Sequence, residues 1–181
     1  LEGILFMCKK YNASLVGGDT SRSEKLILDI WAVGQTPKCI LRSTAKTGDY
    51  IFLTGELGKR AFNKPFEPRI AEAKELIKKF KVNSMIDISD GFVIDLYRIL
   101  KASKKGAAVL KDNVPVTKGI SDFYRGEDYE LIFTIDKSEK KLSSLKKKYH
   151  FVGKVKPKTF GFKWENKGRF EKIKVEGFTH F

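Results

Sequence analysis

The chain has 181 residues, of which 41% are hydrophobic, so it can bury one good core and a smaller attached piece. No window approaches the ~18 consecutive apolar residues of a membrane span, and the first residues, LEGILFMCKKYNASLVGG, lack the order of a secretory signal. A net charge of +14, from 36 Lys and Arg against 22 Asp and Glu, favours anionic partners without choosing among nucleotides, nucleic acid and phosphorylated metabolites.

In chain order, residues 1–12 read as a helix with Ile4, Leu5 and Cys8 on one face. Ala13 to Val16 reads as a short strand entering Gly17-Gly18-Asp19-Thr20, and Leu26 to Val33 (LILDIWAV) as a second strand. Pro37 marks a boundary. Tyr50 to Thr54 is a strand, followed by the loop GELG at 55–58 and a short helix. Pro68 suits the first turn of a helix that runs to about Phe80. SMIDI at 84–88 is a strand, and Phe92 to Ala102 a helix with Phe92, Leu96, Ile99 and Leu100 on one side. Ala107 to Leu110 and Tyr129 to Ile135 are strands. The run KSEKKLSSLKKK at 137–148 is an amphipathic helix whose lysines face solvent. The tail from Phe151 carries two or three short strands, with turns at Gly161 and Asn166-Lys167-Gly168. The class is α+β: a mixed or antiparallel sheet with packed helices.

Cys8 and Cys39 form no CxxC pattern, and His150 and His180 are far apart in sequence, which argues against zinc and fits a reducing cytoplasm. Gly55-Glu56-Leu57-Gly58-Lys59-Arg60 has the wrong spacing for a P-loop and an Arg where the hydroxyl belongs.

Carboxylates stand beside glycine at three strand ends: Gly17-Gly18-Asp19, Asp87-Ile88-Ser89-Asp90-Gly91 and Gly126-Glu127-Asp128. Magnesium takes oxygen ligands, usually one or two carboxylates completed by phosphates and water, so this set suits it. The competing reading is local. Asp90, or Ser89, would cap the helix beginning at Gly91, worth about 1 kcal/mol. A cap leaves Asp87 unexplained. Two carboxylates converging at about 4 Å repel by roughly 1–4 kcal/mol near a surface, and a divalent cation reverses that sign.

LVGGDTSR (15–22), MIDISDG (85–91) and RGEDYELIFT (125–134) occur in an order that resembles thiamine-monophosphate kinase. Leu41-Arg42, Gly48-Asp49, the TGELG loop, Glu67-Pro68-Arg69-Ile70, Asp95-Leu96 and the terminal Gly177-Phe178-Thr179-His180-Phe181 extend the likeness over essentially the whole chain. Aminoimidazole ribonucleotide (AIR) synthetase, selenophosphate synthetase and HypE share the family's fold but differ at DISDG and GEDYEL.

The resemblance implies an AIR synthetase-like C-terminal domain over 37–181 and a remnant of the N-terminal domain over 1–36. It implies Mg²⁺-dependent transfer of the γ-phosphoryl of ATP onto thiamine monophosphate, giving thiamine diphosphate, in the cytoplasm. Carried over by position, Asp19, Asp87 and Asp90 are metal ligands, Arg42 and Ser89 contact ATP, and Glu127 and Phe178 contact the substrate. A homodimer through the missing N-terminal domain is implied, with no membrane and no specific nucleic acid as partner. The 181-residue piece is expected to be poorly active alone. Arg125 stands where the family usually has glycine, Thr179 where it has Asp, and Phe178 where it often has Trp or Tyr. The stretches between Gly58 and Pro68 and between Leu110 and Gly126 are short for the family. Two other readings remain open: a basic module binding RNA or another polyanion, and a superfamily enzyme with a different phosphate-containing substrate.

Overall fold

Two units make up the chain, Leu1–Thr36 and Pro37–Phe181, seen in a computed structural model that describes residues 1–59 and 67–177. The short helix expected after GELG lies outside the described residues.

In the first unit, helix α1 (Glu2–Tyr11) ends at Asn12, whose left-handed backbone (φ 52°) lets its own N–H and that of Ala13 reach back to the carbonyls of Lys9 and Cys8. Neither strand expected here forms: residues 13–16 and 26–33 carry no ladder. Leu26, Ile27, Leu28, Ile30, Trp31 and Val33 are all exposed. Strand composition makes a strand only where a neighbouring backbone supplies the hydrogen bonds and a sheet supplies a face to bury.

The second unit is built on a seven-stranded mixed sheet. Its strands are β1 (Tyr50–Leu53), β2 (Val82–Asp87), β3 (Lys105–Leu110), β4 (Leu131–Ile135), β5 (His150–Pro157), β6 (Phe162–Asn166) and β7 (Arg169–Lys172), in the spatial order β2-β4-β1-β5-β3-β6-β7. All neighbours are antiparallel except β3 and β6. Helices α2 (Ile70–Lys79), α3 (Phe92–Ser103) and α4 (Leu142–Lys148) flank it. Alternation along β1 divides the core between two faces. Ile51 and Leu53 join Phe92, Leu96, Ile99 and Leu100 of α3, together with Val109, Phe123 and Trp164. Phe52 faces the other way, onto Phe133, Leu76 of α2, Leu145 of α4 and Tyr149. The lysine-rich run holds its helix only over Leu142–Lys148, with Leu145 buried. The expected turn at Asn166-Lys167-Gly168 joins β6 to β7, with Lys167 and Gly168 both at positive φ (47° and 79°), the backbone of a tight two-residue hairpin.

Strand β4 begins at Leu131 rather than Tyr129, because Glu127 and Tyr129 both adopt left-handed backbone (φ 68° and 51°) and cannot continue a ladder. Neither Ser89 nor Asp90 caps α3, contrary to the sequence expectation: Gly91 holds the N-cap position, and no side chain of that position bonds to the helix.

A buried acidic group anchors the GELG loop. The Glu130 carboxylate takes two bonds from Arg69 (2.9 and 2.6 Å) and one from the Thr54 hydroxyl (2.6 Å). Asp128 accepts the Gly58 N–H at 2.8 Å, and Asp122 accepts the Lys118 N–H at 2.7 Å. The Asp122 carboxylate packs so closely on Gly58 (φ 73°) that a side chain there would collide with it. Asp122 Oδ1 and Asp128 Oδ2 are buried without a hydrogen-bond partner among the described residues. Burial, with the nearby charges of Asp122 and Glu130, pushes the Asp128 carboxyl up to about 6 against the bond from Gly58.

Replacing Leu96, fully buried between α3 and the sheet, by Ala should cost roughly 2–5 kcal/mol, read from urea unfolding. For Asp128, whose pKa is raised on folding, the folded state binds more protons between pH 3.8 and about 6, so its contribution to stability is lost as pH rises through that window. A shift of that size corresponds to about 3 kcal/mol. Asp128→Asn keeps an acceptor for Gly58 but cannot titrate. Its stability relative to the parent chain should therefore rise between pH 4 and pH 7; a constant gap across that range would contradict the buried-acid assignment.

Candidate functional site

The turn Ile88-Ser89-Asp90-Gly91 leaves the end of β2 and enters α3. Its shape is set from inside the helix. Asp95, one turn into α3 and fully buried, turns Oδ2 back to accept three backbone N–H groups, from Ser89 (3.1 Å), Asp90 (3.0 Å) and Gly91 (3.2 Å). Its other oxygen, Oδ1, takes Nη1 of Arg98 at 2.5 Å. The same Nη1 lies 2.5 Å from Asp90 Oδ2. Burial raises the Asp95 pKa, opposed by the bonds from the Asp90 N–H and Arg98. Burial acts to lower that of Arg98, but its bonds to Asp90 and Asp95 prevail and raise it.

The loop from Arg125 to Glu130 is laced to this turn through the backbone. Ile88 N–H bonds to Glu130 O (2.8 Å), Tyr129 N–H to Ile88 O (2.8 Å) and Glu127 N–H to Ser89 O (2.9 Å). Gly126 is required by the approach: a Cβ there would collide with the Ser89 carbonyl and lie 3.1 Å from Asp90 Cα. The C-terminal segment arrives at the same place, since a Cβ on Gly177 would lie 2.9 Å from Asp90 O and 2.5 Å from Ile94 Cγ2. Asp87, Ser89, Asp90 and Glu127, which the sequence singles out, therefore lie on two segments joined at Ser89. Asp87 is the exposed last residue of β2.

Arg42 lies in the same unit, away from this turn. It opens a short 3₁₀ turn (Arg42–Thr44), where its carbonyl accepts the Ser103 hydroxyl at 2.8 Å. Ser103 ends α3, so the Arg42 main chain stands roughly 18 Å from Asp90, the length of a 12-residue helix. An open hollow of about 650 Å³ lies at this far end, lined by Ser43, Lys46, Asn83, Ser103 and Lys105 among others. Asp19 belongs to the first unit, exposed, with the Thr20 N–H on its Oδ1 at 2.8 Å. Phe178 lies outside the described residues.

Sequence reasoning passed over Arg98, and noted Asp95 only as a family match. The available signal was polar residues at positions 95 and 98 on a helix otherwise apolar on that side. Among the described residues no three His, Cys, Asp or Glu side chains converge as a metal cage. Asp87 and Asp90 do offer two hard oxygen donors. They fit a magnesium ion that keeps several waters and takes phosphate oxygens as its remaining ligands.

Comparison with known proteins gives the site its context. No family model matches the chain. The thiamine-monophosphate kinase of Rhodopirellula baltica is 33% identical over 99% of this chain and 63% of its own length. That of Buchnera aphidicola from Acyrthosiphon pisum is 34% identical over 95% of this chain and 65% of its own. The chain thus spans just under two thirds of these curated relatives. Among solved structures, AaThiL complexed with AMPPCP and TMP superposes with a TM-score of 0.74 at 25% identity, over 99% of this chain and 66% of that one. The hydrogenase maturation protein HypE in complex with ATP shares the fold, with a TM-score of 0.61 at 16% identity over 75% of this chain and 53% of its own. Over nearly its whole length, the chain is a homologue of the thiamine-monophosphate kinases, the family its motifs resemble.

Proposed function

We propose that this chain contributes the C-terminal AIR synthetase-like domain, residues 37–181, and part of an N-terminal domain, residues 1–36, to a cytoplasmic, homodimeric kinase. That kinase phosphorylates thiamine monophosphate from ATP. The observation that carries the reading is the meeting of the 85–91 and 125–130 motifs at Ser89, which puts two candidate metal ligands beside a candidate substrate contact.

In the reaction an oxygen of the thiamine monophosphate phosphate attacks the γ-phosphorus of ATP. A new P–O bond forms as the bond to the β-phosphate oxygen breaks, and ADP leaves with its electron pair. The acceptor is already an ionised phosphate oxygen, so no side chain is assigned as general base. What the protein supplies is in-line placement and charge neutralisation. Mg²⁺, when bound, would neutralise phosphate charge. Asp87 and Asp90 are assigned to hold it. Ser89, whose N–H is held by the Asp95 carboxylate and whose carbonyl accepts the Glu127 N–H, is assigned to the nucleotide, and Glu127 to thiamine monophosphate. Asp19, Arg42 and Phe178 keep their metal, nucleotide and substrate roles by resemblance alone.

The polyanion-binding alternative would draw on the lysine-rich helix, two of whose lysines already have partners in the fold. Lys148 ion-pairs with Glu75 at 2.5 Å, and Lys146 lies over the Phe151 ring at 4.9 Å, so both contribute to the fold. Among the described residues no helix is long and apolar enough to cross a membrane.

The test is ADP release by the full-length protein carrying these residues, with thiamine monophosphate or an aminoimidazole ribonucleotide precursor as acceptor. Thiamine monophosphate should be the substrate turned over. Asp87→Asn and Asp90→Asn should each lower kcat by about 100-fold or more without changing the fold by circular dichroism. Wild-type turnover in both variants would remove the metal assignment. Turnover with the aminoimidazole acceptor alone would replace the substrate.

A further inference from the structure

Arg98 extends the reading of Asp90 as a metal ligand, and the role given to it here rests on that reading. One guanidinium nitrogen is shared between two carboxylates of unequal exposure. Asp95 has a side chain with no solvent exposure, and both its oxygens are committed: Oδ2 to three backbone N–H groups and Oδ1 to Arg98. Stripping its cation would leave a bare charge in the core beneath α3. Asp90 has 13% of its side chain exposed, so unlike Asp95 it is within reach of an arriving ion. Arg98 itself is 36% exposed and lies three residues along the helix from Asp95, so it can pivot without disturbing α3.

We propose that Arg98 is the resident counter-ion of Asp90, exchanged for an incoming divalent cation, and that on exchange the guanidinium withdraws onto Asp95 alone. The arginine thereby offsets part of the negative charge of the acidic turn while no metal is bound. An arriving cation competes with Arg98 for Asp90 Oδ2, so Arg98 sets how much metal is needed to load the site. Asp95 has two parts in this: it fixes the turn through the backbone, and it gives the displaced arginine somewhere to go. Both residues are positioning residues, acting through Asp90.

The experiment is Mn²⁺ binding to the 181-residue chain without nucleotide, read by electron paramagnetic resonance of the free ion, with the thermal unfolding midpoint recorded for each variant. Arg98→Gln removes the competitor and should bind Mn²⁺ roughly three- to tenfold more tightly than the parent. A purely structural arginine would give the opposite sign or no change on removal. Arg98→Lys, whose shorter side chain reaches the two carboxylates less well, should shift affinity in the same direction by less, and it decides the matter if the Gln variant does not fold. Asp90→Asn should abolish the site. Loss of binding in Asp90→Asn, with unchanged or weaker binding in folded Arg98 variants, overturns the role of Arg98 and leaves Asp90 as a ligand. Parent-like binding in Asp90→Asn overturns the metal reading, and the exchange with it.

Discussion

The Asp95 carboxylate is the constraint on which the candidate site depends. A chain leaving an extended strand for a helix within four residues exposes several N–H groups that neither element satisfies. Here a carboxylate one turn into the helix gathers three of them. The usual solution places a capping side chain before the helix. Here the cap comes from within the helix, and the Asp90 carboxylate meets α3 through Arg98. The cost is a buried charge, met by Arg98, and the same arginine then becomes part of the electrostatics of the site.

The second support is close packing of backbone on backbone. Gly126 and Gly177 bring two other segments against the Ser89–Asp90 main chain, at separations that leave no room for a side chain. Glu127 and Tyr129 then adopt left-handed backbone, a conformation unfavourable for residues with a Cβ, and direct their N–H groups at Ser89 and Ile88. Beneath this loop, Glu130 and Asp128 tie it to Arg69 and to the GELG loop. Four stretches that look unrelated in sequence are thus one mechanical unit: 54–58, 69, 88–91 and 125–130.

Much of the second unit was legible in the chain because period and composition agree with burial there. FVIDLYRIL shows its apolar stripe, and α3 forms over nearly the expected span. YELIFTI and MIDI appear as strands because each is buried on at least one face. Boundaries moved where backbone conformation outweighed composition, as at Tyr129, which no propensity marks as left-handed. In the first unit LILDIWAV has ideal strand composition and no strand, since pairing is a property of two segments and only one was being read. The site shows the same limit. Asp87, Ser89, Asp90 and Glu127 stand out as polar residues beside glycine, whereas Asp95 and Arg98 show only as an i, i+3 charge pair, and the bonds of Asp95 back to the turn are not visible in the sequence. Arg42 was assigned by position in a motif, and the fold sets it across the length of α3 from Ser89.

The segment 26–33 has a consequence of its own. Six large apolar side chains are open to solvent along eight residues, with Asp29 as the only charge among them. Unpaired backbone of this composition is a template for intermolecular β-pairing, and it has no proline or lysine within it to blunt the edge. The high positive charge of the whole chain opposes self-association only while salt is low, because screening shortens its reach to about 8 Å at physiological ionic strength. For this polypeptide ionic strength therefore acts as a colloidal variable, with added salt favouring ribbon-to-ribbon association through residues 26–33 over the dispersed chain.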